Sequence, residues 1–124
     1  MLAVVSNQRG IARGLVSEDT LTAIEAEIQG TLAPHGVAVA AFRYCRHELD
    51  AGCDCRKPKP GMILSLAREL GIELASSWTI GDSRSDVEAG RAAGTSTALI
   101  AAAGHSDADV TAPTLREVAA AIGR

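Results

Sequence analysis

Residues 77–94, SWTIGDSRSDVEAGRAAG, decide the fold. The first six residues are a short apolar run that ends at Asp82, which predicts a strand followed by a polar turn. Residues 87–93 then show helical spacing and stop at Gly94. The stretch therefore predicts a strand joined by a short turn to a helix.

The same alternation of strand and helix repeats along the chain. Apolar runs predict three further strands at residues 2–5, 37–44 and 95–102. One predicted helix begins after Ser17. A second has Pro60 in its first turn and ends at Gly71. The last begins at Thr114, whose Thr-x-x-Glu spelling is a capping box. This order predicts the α/β class, with a Rossmann-like, three-layer parallel sheet. The length of 124 residues predicts one domain over residues 1–124.

Composition excludes several kinds of protein. The net charge of −3 and the absence of an extended basic patch argue against nucleic-acid or membrane partners. No apolar run approaches the roughly 18 residues of a membrane span. All three cysteines lie in one short stretch and make a poor disulfide framework, which predicts a reduced, cytoplasmic protein.

That stretch, CRHELDAGCDC at residues 45–55, predicts a zinc loop. It supplies three thiols and one imidazole, from Cys45, His47, Cys53 and Cys55. Four nitrogen and sulfur ligands with no open position are typical of a structural zinc site, and metal binding would stabilise a loop that has no core. The alternative is three unrelated reduced cysteines beside a surface histidine.

The loop continues into Arg56-Lys57-Pro58-Lys59-Pro60. Two prolines fix the backbone around the charged side chains, so Arg56 and Lys57 are predicted to meet an anion at a set position. The alternative is that these cations are ordinary solvated surface charge. Because parallel sheets bind ligands at the carboxyl ends of their strands, Ser6, Asn7, Lys57 and Asp82 are predicted to gather in one crevice.

Three motifs carry a resemblance to a known family. VVSNQRGIARG (4–14), the cysteine loop joined to RKPKPGM (56–62), and IGDSRSDVEAGRAAG (80–94) occur in the order seen in haloacid dehalogenase (HAD)-like phosphatases. The chain resembles most closely the branch that contains the heptose bisphosphate and histidinol-phosphate phosphatases. The resemblance implies a HAD-like fold, structural Zn²⁺, catalytic Mg²⁺ and hydrolysis of a small phosphorylated metabolite. The implied reaction is removal of the 7-phosphate of D-glycero-D-manno-heptose 1,7-bisphosphate, with histidinol phosphate as the alternative substrate.

The resemblance also assigns roles to individual residues. Ser6 would hold the phosphoryl group, and Lys57 would neutralise the charge of the phosphoryl group and nucleophile. Asp82 would hold Mg²⁺, and Asp86 is a weaker candidate that also suits a helix cap. The residues expected to bind substrate are Ser6, Asn7, Gln8, Arg9, Arg56 and Lys57. The alternative is that Ser6-Asn7 and Gly81-Asp82 are simply turn residues, with Asp86 at the cap of the next helix.

One element of the family pattern is absent from its expected place. These phosphatases carry an Asp-x-Asp nucleophile motif after a first, central strand that precedes the segment matching residues 4–14. Three interpretations are open. In the first, a further segment or a partner chain supplies that strand, because the start site or reading frame is wrongly assigned or the gene is split. In the second, the chain is a non-catalytic, zinc-stabilised binding module. In the third, catalysis uses Asp107 and Asp109, which spell Asp-x-Asp in the loop before the last helix.

Overall fold

The computed structural model describes residues 1–7, 13–45, 52–53, 55–102 and 107–123. They fall into two compact units, unit 1 at residues 1–56 and unit 2 at residues 57–124. The prediction of a single domain stays a prediction. Unit 1 contains β1 (Leu2–Asn7), α1 (Glu18–Leu32) and β2 (Val39–Cys45). Unit 2 contains α2 (Gly61–Leu70), β3 (Trp78–Gly81), α3 (Arg84–Ala93), β4 (Ser96–Ile100), β5 (Val110–Ala112) and α4 (Leu115–Ile122).

Unit 1 is a two-stranded parallel sheet connected by a helix. β1 pairs with β2 in parallel, so the two strands end together at Asn7 and Cys45. Ser17 caps α1 by accepting a hydrogen bond from the Thr20 N–H. The Gln29 side chain of α1 then makes two 2.9 Å hydrogen bonds to the backbone of Val39, which fixes the start of β2 against the helix.

Unit 2 is a three-stranded parallel sheet in the order β3-β4-β5. Gly90 lets α3 approach the sheet closely, because a Cβ atom at this position would lie 2.7 Å from Cβ of Thr79 and 2.8 Å from Cγ2 of Thr97. The apolar core of this unit includes Met62, Leu66, Val87, Ala89, Ala93, Ala98 and Val118. α3 thus packs closely on β3 and β4.

The parallel strands and connecting helices confirm the predicted α/β class. α2 and α3 end at Gly71 and Gly94, with left-handed φ angles of 67° and 95°, as the sequence predicts. α3 begins at Arg84, three residues before the predicted start, and Pro60 is the N-cap of α2 rather than part of its first turn. No helix within the described part of the chain has the length and apolar character to span a membrane.

Candidate active site and metal centre

The turn after β3 presents two aspartates with different surroundings. Asp82 follows the last residue of β3 directly and is exposed. Ser83 is the N-cap of α3, and Asp86 lies at the third position of that helix. The Asp86 carboxylate accepts hydrogen bonds from the Ser83 N–H at 3.2 Å and the Ser83 hydroxyl at 2.9 Å. These bonds satisfy the helix start and hold the Asp86 side chain against the turn.

Asp86 also forms an ion pair with Lys57. Nζ of Lys57 donates to Oδ1 of Asp86, and the two side chains are only 13% and 10% exposed. Gly81 makes room for this carboxylate, since a Cβ atom there would overlap it. The ammonium group of Lys57 is therefore held at the carboxyl end of β3, near the turn that carries Asp82.

The ion pair determines the charge state of Asp86. Burial alone would raise the pKa of this carboxyl group. The hydrogen bond and charge of Lys57, with the hydroxyl and N–H of Ser83, outweigh burial and hold the pKa of Asp86 below its ordinary value. Asp86 is therefore ionised at neutral pH.

This lowered pKa predicts a pH dependence of stability. A carboxyl group whose pKa is lower in the folded state stabilises the fold above its unfolded pKa of about 4, and loses that contribution as the pH falls further. We expect the difference in unfolding free energy between the wild type and Asp86→Asn to be constant from pH 7 to pH 5. It should shrink below about pH 4. Urea unfolding of both proteins at a series of pH values measures this difference. If Asp107→Asn changed the unfolding free energy with the same pH profile, the effect could not be assigned to the lowered pKa of Asp86.

The three cysteine side chains form a compact cluster in unit 1. Cys45 is buried at the end of β2, and its Sγ lies 3.5 Å from Sγ of Cys53. All three Sγ atoms, including that of Cys55, lie within 4.8 Å of one another. Two thiolates on one tetrahedral zinc ion are about 3.8 Å apart, given Zn–S bonds of about 2.3 Å. The cluster therefore fits a metal ion, whereas His47, the predicted fourth ligand, lies outside the described residues.

The electrostatics of the cluster also suit a cation. Burial and the neighbouring Cys45 and Cys53 sulfur atoms raise the pKa of Cys55 to about 12. Against the effect of desolvation, hydrogen bonds from the Cys45 side chain and the Arg56 backbone lower the pKa of Cys53 to about 6. The neighbouring groups thus favour ionisation of Cys53 and oppose that of Cys55, and a bound divalent cation would favour the thiolate form of both.

Arg56 follows the cluster directly. Its Nη1 atom is buried and has no hydrogen-bond partner among the residues that the structure describes. An unsatisfied buried guanidinium nitrogen is costly, and anions such as phosphate are its usual partners. The role of Arg56 in anion binding stays a prediction.

The remaining predicted site residues lie at the end of β1 or outside the described residues. Ser6 and Asn7 are the last two residues of β1, at its carboxyl end, and both are half-buried. Gln8 and Arg9 lie outside the described residues. The gathering of the β1 end with Lys57 and Asp82 in one crevice stays a prediction.

The alternative nucleophile pair, Asp107 and Asp109, lies at the wrong end of the sheet. Asp109 directly precedes β5, and its Oδ2 accepts a 2.8 Å hydrogen bond from the N–H of Thr97, near the start of β4. The carbonyl oxygen of Asp107 accepts from Nη1 of Arg91 at 2.7 Å. Because β3, β4 and β5 are parallel, this amino end is opposite the end that carries Asp82. The geometry argues against catalysis by this pair.

Sequence reasoning missed the role of Asp86 in holding Lys57. The motif Ser83-x-x-Asp86 has the same capping-box spacing as Thr114-x-x-Glu117. This spacing alone could have predicted that Asp86 lies in the first turn of a helix. Its ion pair joins residues 29 positions apart, and no local pattern indicates such a pair.

Comparisons with known proteins identify the family of this chain. A family model described as HAD-hydrolase-like matches residues 54–122. D-glycero-β-D-manno-heptose-1,7-bisphosphate 7-phosphatase of Pseudomonas putida is 44% identical over 99 residues, which cover 80% of this chain and 57% of that protein. The enzyme of the same name from Vibrio cholerae is 39% identical over 111 residues, which cover 84% of this chain and 60% of that protein. The chain thus spans less than two thirds of the length of these relatives.

A solved structure shares the fold. It is that of D,D-heptose 1,7-bisphosphate phosphatase from B. bronchiseptica, complexed with magnesium and phosphate. The match has a TM-score of 0.84 and 35% sequence identity, and it covers 98% of this chain and 73% of that chain. With the family model matching more than half of its residues, this chain belongs to the HAD-like hydrolase family.

Proposed function

We propose that this chain forms the phosphate-binding part of a phosphatase that removes the 7-phosphate of D-glycero-β-D-manno-heptose 1,7-bisphosphate. The observation that carries the proposal is the Lys57–Asp86 ion pair at the carboxyl end of β3, beside the exposed Asp82. Relatives 39–44% identical carry the name of that activity, which supports the choice of substrate. The general reaction is phosphomonoester hydrolysis of a small phosphorylated sugar.

Lys57 stabilises the phosphoryl group in this proposal. Asp86 and Ser83 fix the ammonium group before the substrate arrives, so little reorganisation is needed when negative charge develops on the phosphoryl oxygens. A lysine whose charge is positioned in advance stabilises the transition state more than a mobile lysine would. Asp86 thus acts as a positioning residue, and Lys57 contacts the substrate.

Asp82 holds Mg²⁺ in this proposal. A carboxylate oxygen at the end of a parallel strand, exposed to solvent, is a ligand that Mg²⁺ accepts together with water and phosphate oxygens. The bound ion supplies positive charge that neutralises the phosphate. The related structure from B. bronchiseptica was solved with magnesium and phosphate, which supports both ligands.

We also propose that Cys45, Cys53, Cys55 and His47 hold a structural Zn²⁺. The sulfur–sulfur distances suit a tetrahedral site, and a zinc ion would fix the loop that leads into Arg56. Arg56 would then reach the substrate with its buried Nη1, and Ser6, Asn7, Gln8 and Arg9 would line the substrate from the end of β1. The cytoplasm, which keeps cysteines reduced, is the compartment that suits such a cluster.

At the carboxyl ends of the described strands, the aspartates present are Asp82 and Asp86, and both already have other roles in this proposal. The attacking aspartate therefore has to come from elsewhere. We propose that a segment outside residues 1–124, or a partner chain, supplies a further strand with an Asp-x-Asp motif. Covalent phosphoryl transfer requires such a carboxylate. The non-catalytic binding module is the alternative that the following experiment separates from this proposal.

The test is hydrolysis of the heptose bisphosphate followed by ³¹P NMR, in the presence of Mg²⁺. The chain is measured alone and with an added segment that carries an apolar strand and Asp-x-Asp. We expect no turnover by the chain alone and release of the 7-phosphate when the segment is present. Hydrolysis by the chain alone that Asp107→Asn abolishes would overturn the need for a segment. Phosphate release from histidinol phosphate but not from the heptose would overturn the substrate.

A further inference from the structure

Two thiols of the cysteine cluster, Cys45 and Cys53, have a geometry that suits oxidation to a disulfide. Cys45 is completely buried, and the β1–β2 pairing that sets it opposite Asn7 fixes its position. Cys53 is half-exposed and lies on the loop, with its Sγ 3.5 Å from Sγ of Cys45. A disulfide bond is about 2.0 Å long, so the loop sulfur needs to move by only about 1.5 Å to form one.

We propose that Cys53 is a site of peroxide oxidation and that Cys45 is the thiol that resolves it, so that oxidation replaces the metal with a disulfide. The proposal rests on the proposed metal site and adds a means of regulating it. Cys53 is the accessible member of the pair, and accessible thiolates are the ones that peroxides oxidise. Cys45, buried beside it, is positioned to attack the oxidised sulfur and is itself shielded from the oxidant.

The reaction with hydrogen peroxide balances as two displacements. The Cys53 thiolate attacks one peroxide oxygen, an S–O bond forms, the O–O bond breaks and hydroxide leaves. The Cys45 thiolate then attacks the sulfenic sulfur, the S–S bond forms, the S–O bond breaks and a second hydroxide leaves. The hydroxides take up two protons and become water, so the two sulfur atoms lose two electrons and the peroxide gains them.

Oxidation would release the metal and detach Cys55 from the cluster. A metal ion that loses two of its thiolate ligands no longer has a complete tetrahedral site. The disulfide still joins the loop to β2 through Cys53. Cys55 and the adjacent Arg56, however, are no longer held by the metal. Oxidation would therefore lower the affinity for phosphate by freeing Arg56, and a thiol reductant with added zinc would restore it.

The experiment treats the zinc-loaded chain with millimolar hydrogen peroxide in the presence of a chromogenic zinc chelator. We expect one zinc released per chain, a mass lower by two hydrogens, and fragmentation that joins Cys45 to Cys53. Cys55 should remain open to alkylation. The same treatment of the metal-free chain should give the same disulfide, which separates a failure of this proposal from a failure of the zinc site.

The matched variants are Cys55→Ser and Cys53→Ser. In the metal-free chain, Cys55→Ser should still form the disulfide, whereas Cys53→Ser should form none or react at least about tenfold more slowly. Equal rates in the two variants, a Cys53–Cys55 linkage, or zinc release with only sulfinic or sulfonic products would overturn the proposal.

Discussion

Chelation of the metal is expected to lower the melting temperature of the zinc-loaded chain by about 15 °C. A ligand present at a thousandfold excess over its dissociation constant stabilises the folded state by about 4 kcal/mol. For a chain of this length each kcal/mol shifts the melting temperature by about 4 °C. The effect is large because unit 1 is small; its buried apolar side chains, among the described residues, are Leu21, Val39 and Cys45. Small units of this kind often need a metal or a disulfide to remain folded.

Calorimetric melting of the zinc-loaded chain, with and without a strong chelator, measures this effect. Cys45→Ser removes a buried ligand and should melt near the chelated wild type, and the chelator should lower its melting temperature no further. Ser77→Ala, in unit 2, is the control and should show the full chelator effect. A wild type that contains zinc but melts at the same temperature with the chelator would contradict a stabilising metal.

Lys57→Met is expected to reduce the unfolding free energy at pH 7 by about 3 kcal/mol. The substitution leaves the Asp86 carboxylate nearly buried and without its counter-charge, and removing one partner of a buried ion pair costs about 3–5 kcal/mol. An unpaired buried carboxyl has a raised pKa, so the loss should be smaller at pH 4, where Asp86 can take up a proton. Urea unfolding at the two pH values measures both effects.

Lys59→Met is the matched control for this substitution. Lys59 is exposed and two residues away, so the same change of side chain there should alter the unfolding free energy by less than about 0.5 kcal/mol. Similar losses in both variants, or a loss at Lys57 that does not depend on pH, would contradict a buried ion pair with Asp86.

The elements that the sequence predicted correctly are those with local signals. Gly71 and Gly94 end their helices because each adopts a left-handed backbone that other residues resist. Thr114 caps α4 by accepting a hydrogen bond from the N–H of Glu117, as its spacing predicted. β5, of three residues, was missed because so short a strand has no readable alternation, and its aspartates suggested a loop.

The site was less predictable than the fold because its key contacts are tertiary. Lys57 stood out through the neighbouring prolines and the family resemblance, but its partner Asp86 lies on a helix 29 residues later. Gly81 looked like a turn residue, whereas its missing side chain makes room for the Asp86 carboxylate. The partners of side chains that meet through packing cannot be read from local periodicity.

Calorimetric titration of inorganic phosphate into the chain, with and without Mg²⁺, tests the central claim most directly. The claim is that Lys57 and Asp82, at the carboxyl end of β3, bind phosphate together with Mg²⁺. We predict saturable binding that requires Mg²⁺ and weakens at least about tenfold, or about 1.4 kcal/mol, in both Lys57→Met and Asp82→Asn. Lys59→Met and Asp107→Asn should bind like the wild type. Phosphate binding of equal affinity in all five proteins, or binding indifferent to Mg²⁺, would contradict the account.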